Sequence, residues 1–210
     1  MTKQTEQVRL SAEQRASQLP KMLPSSGSGG LPDASAEPAS GAMGKPPPVV
    51  AFVGLSGSGK TTLLLKLIPV LRARQIRVAM VKHSSHRGVE TDIAGSDSRR
   101  FWDAGAHEVA LVTPDRVALT RRVESEPRLD EVLSVVGSAD LVLLEGFKCS
   151  DVSKIEVIRA ACTSALLEGL RGRVACVTDV ADLAMDCPVF GLNDVEGVAD
   201  FLMEHVAALA

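Results

Sequence analysis

Gly54-Leu55-Ser56-Gly57-Ser58-Gly59-Lys60-Thr61-Thr62 is the stretch on which the fold turns. The apolar run Val49-Val50-Ala51-Phe52-Val53 leads into it, and Leu63-Leu64-Leu65-Lys66-Leu67-Ile68 follows. Strand, glycine-rich loop and helix in that order make GxxxxGK[ST] a P-loop rather than a serine-glycine turn that happens to end in lysine. Gly54, Gly57 and Gly59 permit backbone angles that a β-carbon would forbid, so successive N–H groups, those of Ser56 and Ser58 included, turn toward one anion. The N-terminus of the next helix, entered at Thr61 and Thr62, adds its positive end. Lys60 supplies a mobile charge for the β- and γ-phosphates, and the Thr61 hydroxyl is placed to ligate Mg²⁺. The pattern implies binding of a nucleoside triphosphate.

Bulk properties narrow the setting. A chain of 210 residues with 45% hydrophobic residues holds one α/β domain with a substantial core. A net charge of −3 argues against general nucleic-acid binding, which needs clustered Lys and Arg excess. Cys149, Cys162, Cys176 and Cys187 form no CxxC pair and no zinc spacing, so reduced structural thiols are expected. No apolar run reaches the ~18 residues of a membrane span and no signal-peptide core is present, which points to the cytoplasm.

Residues 1–48 contain seven of the chain's 11 prolines, interleaved with Ser25-Ser26-Gly27-Ser28-Gly29-Gly30. Apart from modest helical character over 6–19, such a composition buries too little apolar surface to offset chain entropy, and a flexible leader is expected. A linker from a fused neighbour and a false start ahead of Met43 both fit it. The domain is expected over 49–210. Strands are predicted over Ile76–Lys82, Glu108–Val112, Arg116–Arg121, Asp140–Glu145, Lys154–Arg159, Val174–Val177 and Pro188–Phe190. Helices are predicted from the P-loop to about Arg74 with Pro69 kinking it, then through Arg99–Ala104, Leu129–Val136 and Val195–Leu209. Pro114-Asp115 reads as a hairpin turn. Lys154–Arg159 alternates apolar and charged residues at period two and predicts a half-exposed strand. The fold expected is a P-loop NTPase: a mainly parallel sheet, helices on both faces, and a β-hairpin excursion.

Ligands of an open parallel sheet sit at the strands' C-terminal ends. Asp140 opens its strand and Glu145 closes it, roughly 16 Å apart at ~3.3 Å per residue, so Glu145 is the carboxylate at the phosphate end. It is the candidate for catalysis beside Lys60 and for Mg²⁺ contact, with Gly146 offering its N–H to the γ-phosphate. Asp92 or Asp97 is a further metal candidate, since Mg²⁺ takes one or two carboxylates and keeps several waters; a helix cap is the competing role for Asp97 or Ser96. Lys82-His83-Ser84-Ser85-His86-Arg87 offers either a pocket for a second phosphate-bearing ligand or a transition-metal site through His83 and His86. Asp179, after Val177-Thr178, is the candidate for reading a guanine edge, with Asn193 and Asp194 as helpers; no Asn-Lys-x-Asp is present, so GTP leads ATP only slightly. Arg99, Arg100, Lys148, Lys154 and Arg159 are scattered basic residues, mostly a solvated face, with Lys148 singled out because it follows Glu145-Gly146.

Taken together, the P-loop, Val81-Lys82-His83-x-x-His86, Asp92-x-x-Gly95-x-Asp97-Ser98-x-Arg100, Ala104-Gly105-Ala106, Leu143-Leu144-Glu145-Gly146-Phe147-Lys148, Lys154-Ile155-Glu156-Val157-x-Arg159 and Thr178-Asp179 resemble the molybdopterin-guanine dinucleotide biosynthesis protein B (MobB) family. The resemblance runs from about residue 49 to the C-terminus. It implies a GTP-binding adapter with at most weak GTP hydrolysis, usually a homodimer. Such an adapter works with the guanylyltransferase that joins GMP to molybdopterin in molybdenum cofactor biosynthesis. It further implies that Lys82, His83, His86, Arg100 and Lys148 face the nucleotide, the partner or the pterin phosphate. Two other classes compete. A small-metabolite kinase wants an arginine-rich lid, where 164–173 offers Arg171 and Arg173; a metal-delivery GTPase wants a cysteine after the second strand, and none stands there.

Overall fold

The computed structural model describes residues 46–137 and 139–209. Residues 1–45, and with them the expected leader and its helix over 6–19, lie outside the described residues. The elements are β1 (Val49–Val53), α1 (Lys60–Ala73), β2 (Val78–Lys82), α2 (Asp97–Asp103), β3 (Glu108–Thr113), β4 (Arg116–Arg121), α3 (Leu129–Val135), β5 (Leu141–Glu145), β6 (Ser153–Ile158), β7 (Arg173–Thr178), β8 (Val189–Phe190) and α4 (Val195–Leu209).

Six strands form one parallel sheet in the order β2-β5-β1-β6-β7-β8. The two-residue side-chain period sorts its central strands onto two cores. Val50 and Phe52 of β1 and Leu141 and Leu143 of β5 pack with Leu63, Leu64, Leu67 and Leu71 of α1 and Val198, Ala199 and Leu202 of α4. Ala51, Val53, Val142 and Leu144 point the other way, against Leu129 and Leu133 of α3 and the loop residues Phe147, Val152, Leu167 and Leu170. Continuous apolar runs in β1 and β5 are what burial on both faces demands. Arg74, at the end of α1, donates to Glu196 and Asp200 of α4, each at 2.7 Å. Pro69 falls inside α1 as expected.

The expectation for Lys154–Arg159 is corrected. In β6 both Lys154 and Glu156 are fully buried. They point to the face that carries Ala51 and Val53, and over β6 loops bring carbonyls and an amide to meet them. Lys154 Nζ donates to the carbonyls of Ser150, Val152 (3.0 Å) and Arg171 (3.0 Å). Glu156 accepts from the Leu167 amide at 2.6 Å and from Arg173 Nε at 2.6 Å. A buried charge survives only when so compensated. Burial pulls the Lys154 ammonium below its ordinary value, with Asp151 opposing.

β3 and β4 make a separate antiparallel hairpin, turned at Pro114-Asp115 between paired Thr113 and Arg116. Arg122 ties its base to α2, lying 4.0 Å over the Trp102 ring and donating to the Ala106 carbonyl at 3.0 Å. Leu111, Val112, Val117 and Leu119 remain exposed on the hairpin.

All four cysteines are free thiols. Burial pushes Cys176 up to about 12, so it is an inert core residue. Among the described residues no helix is long and apolar enough to cross a membrane.

Candidate functional site

The sheet order lays out the site along one edge. From β2 to β7 the C-terminal ends present Lys82, Glu145, the loop after Val53, the turn containing Ala160 and Cys162, and Asp179. This is the edge at which an open parallel sheet takes its ligand.

The glycine-rich loop is built around close approach. Gly54 adopts φ +146°, and a β-carbon there would overlap the Val157 carbonyl of β6 and come within 2.9 Å of Ser58 Oγ. Gly59, at φ 95°, caps α1 without any side-chain hydrogen bond, so the first-turn N–H groups of a 14-residue helix have no side chain competing for them. Ser58 Oγ is buried with no hydrogen-bond partner, an orphan that a ligand-binding loop explains and a structural turn does not. Lys60 Nζ folds back on its own loop, donating to Gly54 O (3.0 Å) and Leu55 O (2.7 Å). Burial lowers its pKa, Glu145 opposes that and Lys82 adds to it.

Glu145 faces this loop as the strand-end argument expects. Its Oε1 accepts the Thr61 hydroxyl at 2.7 Å and lies 3.4 Å from Lys82 Nζ. One hydroxyl and one carboxylate are hard oxygen donors of the kind Mg²⁺ takes, its other positions falling to water and phosphate oxygens. The residues therefore fit magnesium and a triphosphate. Asp92 and Asp97 make their contacts within their own segment: Asp92 accepts the Ile93 amide (2.7 Å), and Asp97 pairs with Arg100 (3.0 Å). A hydrogen bond from Ser98 holds the Asp92 carboxyl below its usual range. The cap of α2 is Ser96, whose hydroxyl accepts from the Arg99 amide at 3.2 Å.

Gly146 differs in detail from the expectation. Its N–H donates to the Phe52 carbonyl at 3.0 Å, prolonging the sheet ladder instead of standing open. What singles it out is φ +94° and an ideal β-carbon position 3.3 Å from His83 Cβ. His83 in turn bonds Glu126 Oε1 through Nε2 at 2.7 Å and sits with its ring 5.3 Å from that of Phe147. His86 meets Ser84 through its amide. Among the described residues no group of three or more His, Cys, Asp or Glu is gathered as a metal site. Lys148 is exposed and lines a cavity of about 360 Å³ with Arg171 and Glu168.

At the base end, Asp179 is exposed and one oxygen accepts the Ala160 amide at 2.6 Å. Asn193 instead accepts Lys66 Nζ of α1 (3.0 Å), and Asp194 accepts the Gly197 amide (3.0 Å) at the start of α4. Two neighbours escaped the sequence reading. Glu126 reaches His83 across 43 residues, and Cys162 Sγ lies 3.5 Å from the ideal β-carbon position of Gly57. Neither carries a spacing signal, because tertiary folding alone brings them there.

The profile of MobB, Molybdopterin guanine dinucleotide synthesis protein B, matches residues 49–179. The molybdopterin-guanine dinucleotide biosynthesis adapter protein of Escherichia coli is 39% identical over 165 residues, spanning 75% of this chain and 92% of that protein. Its namesake in Haemophilus influenzae is 38% identical over 157 residues, 74% and 87% of the two chains. The crystal structure of a MobB protein homolog from Bacillus stearothermophilus superposes with a TM-score of 0.60 at 28% identity, over 76% of this chain and 98% of that one.

Proposed function

The chain belongs to the MobB family, and we propose that it is a GTP-binding adapter in molybdopterin-guanine dinucleotide formation, with weak GTPase activity, acting in the cytoplasm alongside the guanylyltransferase. The observation that carries the nucleotide part is the bond between Thr61 and Glu145 at the mouth of an uncapped phosphate loop. In this reading the loop amides and Lys60 hold the polyphosphate. Thr61 and Glu145 hold Mg²⁺, which neutralises phosphate charge when bound. Asp179 turns its second oxygen to the guanine edge, the first being held by Ala160.

Slow turnover follows from what surrounds the terminal phosphate. Residues 49–210 contain a single glutamine, Gln75. It stands beyond the far end of α1, ~20 Å from the loop at 1.5 Å per helical residue, too distant to orient an attacking water. The exposed apolar residues Val112, Val117 and Leu119, which the pairing places on one face of the β3–β4 hairpin, support a homodimer, since an exposed patch of that kind marks an association surface.

The test is affinity capture on the immobilised full chain from extract, with and without GTP and Mg²⁺, joined to a hydrolysis assay. GTP-dependent recovery of a guanylyltransferase with slow phosphate release is expected. Fast γ-phosphate transfer to a metabolite would replace the adapter by a kinase.

A further inference from the structure

Glu145 Oε1 is a shared acceptor. It takes the Thr61 hydroxyl at 2.7 Å from one side and faces Lys82 Nζ at 3.4 Å from the other. The register makes this arrangement unavoidable: Lys82 of β2 pairs with Glu145 of β5, which pairs with Phe52 of β1, one residue before the loop-bearing end of that strand. Side chains paired across parallel neighbours stand on the same face of the sheet, so an ammonium is stationed over the place where Thr61 and Glu145 meet.

That ammonium is loosely held. The Lys82 side chain is 62% exposed against 13% for Glu145, and 3.4 Å is longer than a good hydrogen bond. Lys60, which belongs to the phosphate loop itself, donates to two carbonyls of that loop and leaves Lys82 as the cation in contact with Glu145. His83, the next residue along, is bonded to Glu126 and lies against Phe147. Lys82 is also close enough for its charge to be felt at Lys60.

We propose that Lys82 is the residue by which this site distinguishes a nucleoside triphosphate from a diphosphate. A terminal phosphate brings additional negative charge to the edge where Thr61 and Glu145 stand, and Lys82 exchanges its loose contact with Glu145 for that phosphate. A diphosphate ends short of it and leaves the pair in place. The inference rests on the nucleotide reading above and, of the nucleotide, partner and pterin roles open to Lys82, selects the nucleotide.

The experiment compares wild-type full chain with Lys82→Gln and Lys82→Arg. Dissociation constants are measured by calorimetry for GDP and for the slowly hydrolysed analogue GTPγS, both with Mg²⁺, with melting curves to confirm folding. For Lys82→Gln, GTPγS affinity is expected to fall about tenfold or more, the cost of one charge-assisted hydrogen bond, while GDP affinity changes less than about twofold. Lys82→Arg keeps a cation and retains most of the preference. Equal weakening of both ligands, or no change in either, overturns the proposal. If the wild-type chain binds neither nucleotide, the nucleotide reading itself falls, a result distinct from loss of discrimination.

Discussion

Glu145 and Glu156 are glutamates on neighbouring regions of one sheet, and they live opposite lives. Glu145 closes β5, partly open to solvent, and shares one oxygen between a threonine and a lysine. Glu156 lies within β6, fully buried, with one oxygen on a backbone amide and the other on Arg173. Lys154 repeats the second pattern, its ammonium satisfied by three carbonyls. A saturated buried charge has no capacity left for a ligand and serves to pin loops, here the ones running from Ser150 to Val152 and from Leu167 to Arg173. A carboxylate holding replaceable donors at a strand's open end is poised to exchange them. The difference between structure and function at these positions is partner saturation, not residue type.

The contrast breaks if the two glutamates respond alike to truncation. Glu156→Ala leaves the Arg173 guanidinium and the Leu167 amide without their acceptor, so a loss of about 3–5 kcal/mol in unfolding free energy is expected, enough to unfold many domains. Denaturant titration reads it. Glu145→Ala removes an acceptor whose partners, the exposed Thr61 hydroxyl and the 62% exposed Lys82, can turn to water, so it is expected to cost about 1 kcal/mol of stability, while abolishing the Mg²⁺-dependent part of GTP affinity. A stability loss at Glu145 as large as at Glu156 would erase the distinction drawn here.

Lys60 sharpens the same contrast among the lysines. Its pKa is lowered by burial in the loop, so the fold gains nothing from holding that charge. Lys60→Ala should leave the melting temperature within about 2 °C of wild type, a shift of at most about 1 kcal/mol for a domain of this size. GTP binding should weaken at least about 100-fold, or about 2.7 kcal/mol. Unchanged nucleotide affinity would remove the loop from the site.

The same residues show what could be read from the linear chain. The P-loop, the closing glutamate of β5, the hairpin turn and the run of α4 were all legible, because each rests on local spacing or on continuous apolar runs that only a doubly covered strand tolerates. β6 was misread for a definite reason. Alternating Lys154-Ile155-Glu156-Val157 has the pattern of a strand with one wet face, and only the loops folding over that face reveal that carbonyls, an amide and an arginine have replaced water. Glu126 and Cys162 stayed hidden because their partners lie far off in sequence. Gly146 was placed correctly at the strand end, yet which way its N–H points depends on the pairing with Phe52.

Asp140 provides the smallest and most discriminating test, since it lies at the other end of the very strand that Glu145 closes. Its oxygens accept from the Arg77 amide (2.8 Å), Nε (3.1 Å) and Nη2 (2.8 Å), so it is saturated like Glu156 yet exposed like a surface residue. Those bonds hold the carboxyl down at about 2, against an ordinary 3.8. A depressed carboxylate pKa means that its contribution to stability is complete above the unfolded value and is lost as pH falls through the folded one. The difference in melting temperature between wild type and Asp140→Asn should therefore be constant above about pH 4 and shrink between about pH 4 and about pH 2. Because Arg77 is largely in water, added salt should shrink it further at neutral pH. A difference that persists undiminished at pH 2 would mean the side chain's shape, not its charge, matters at that corner. Saturation would then have to be judged together with burial before it could separate a structural carboxylate from a working one.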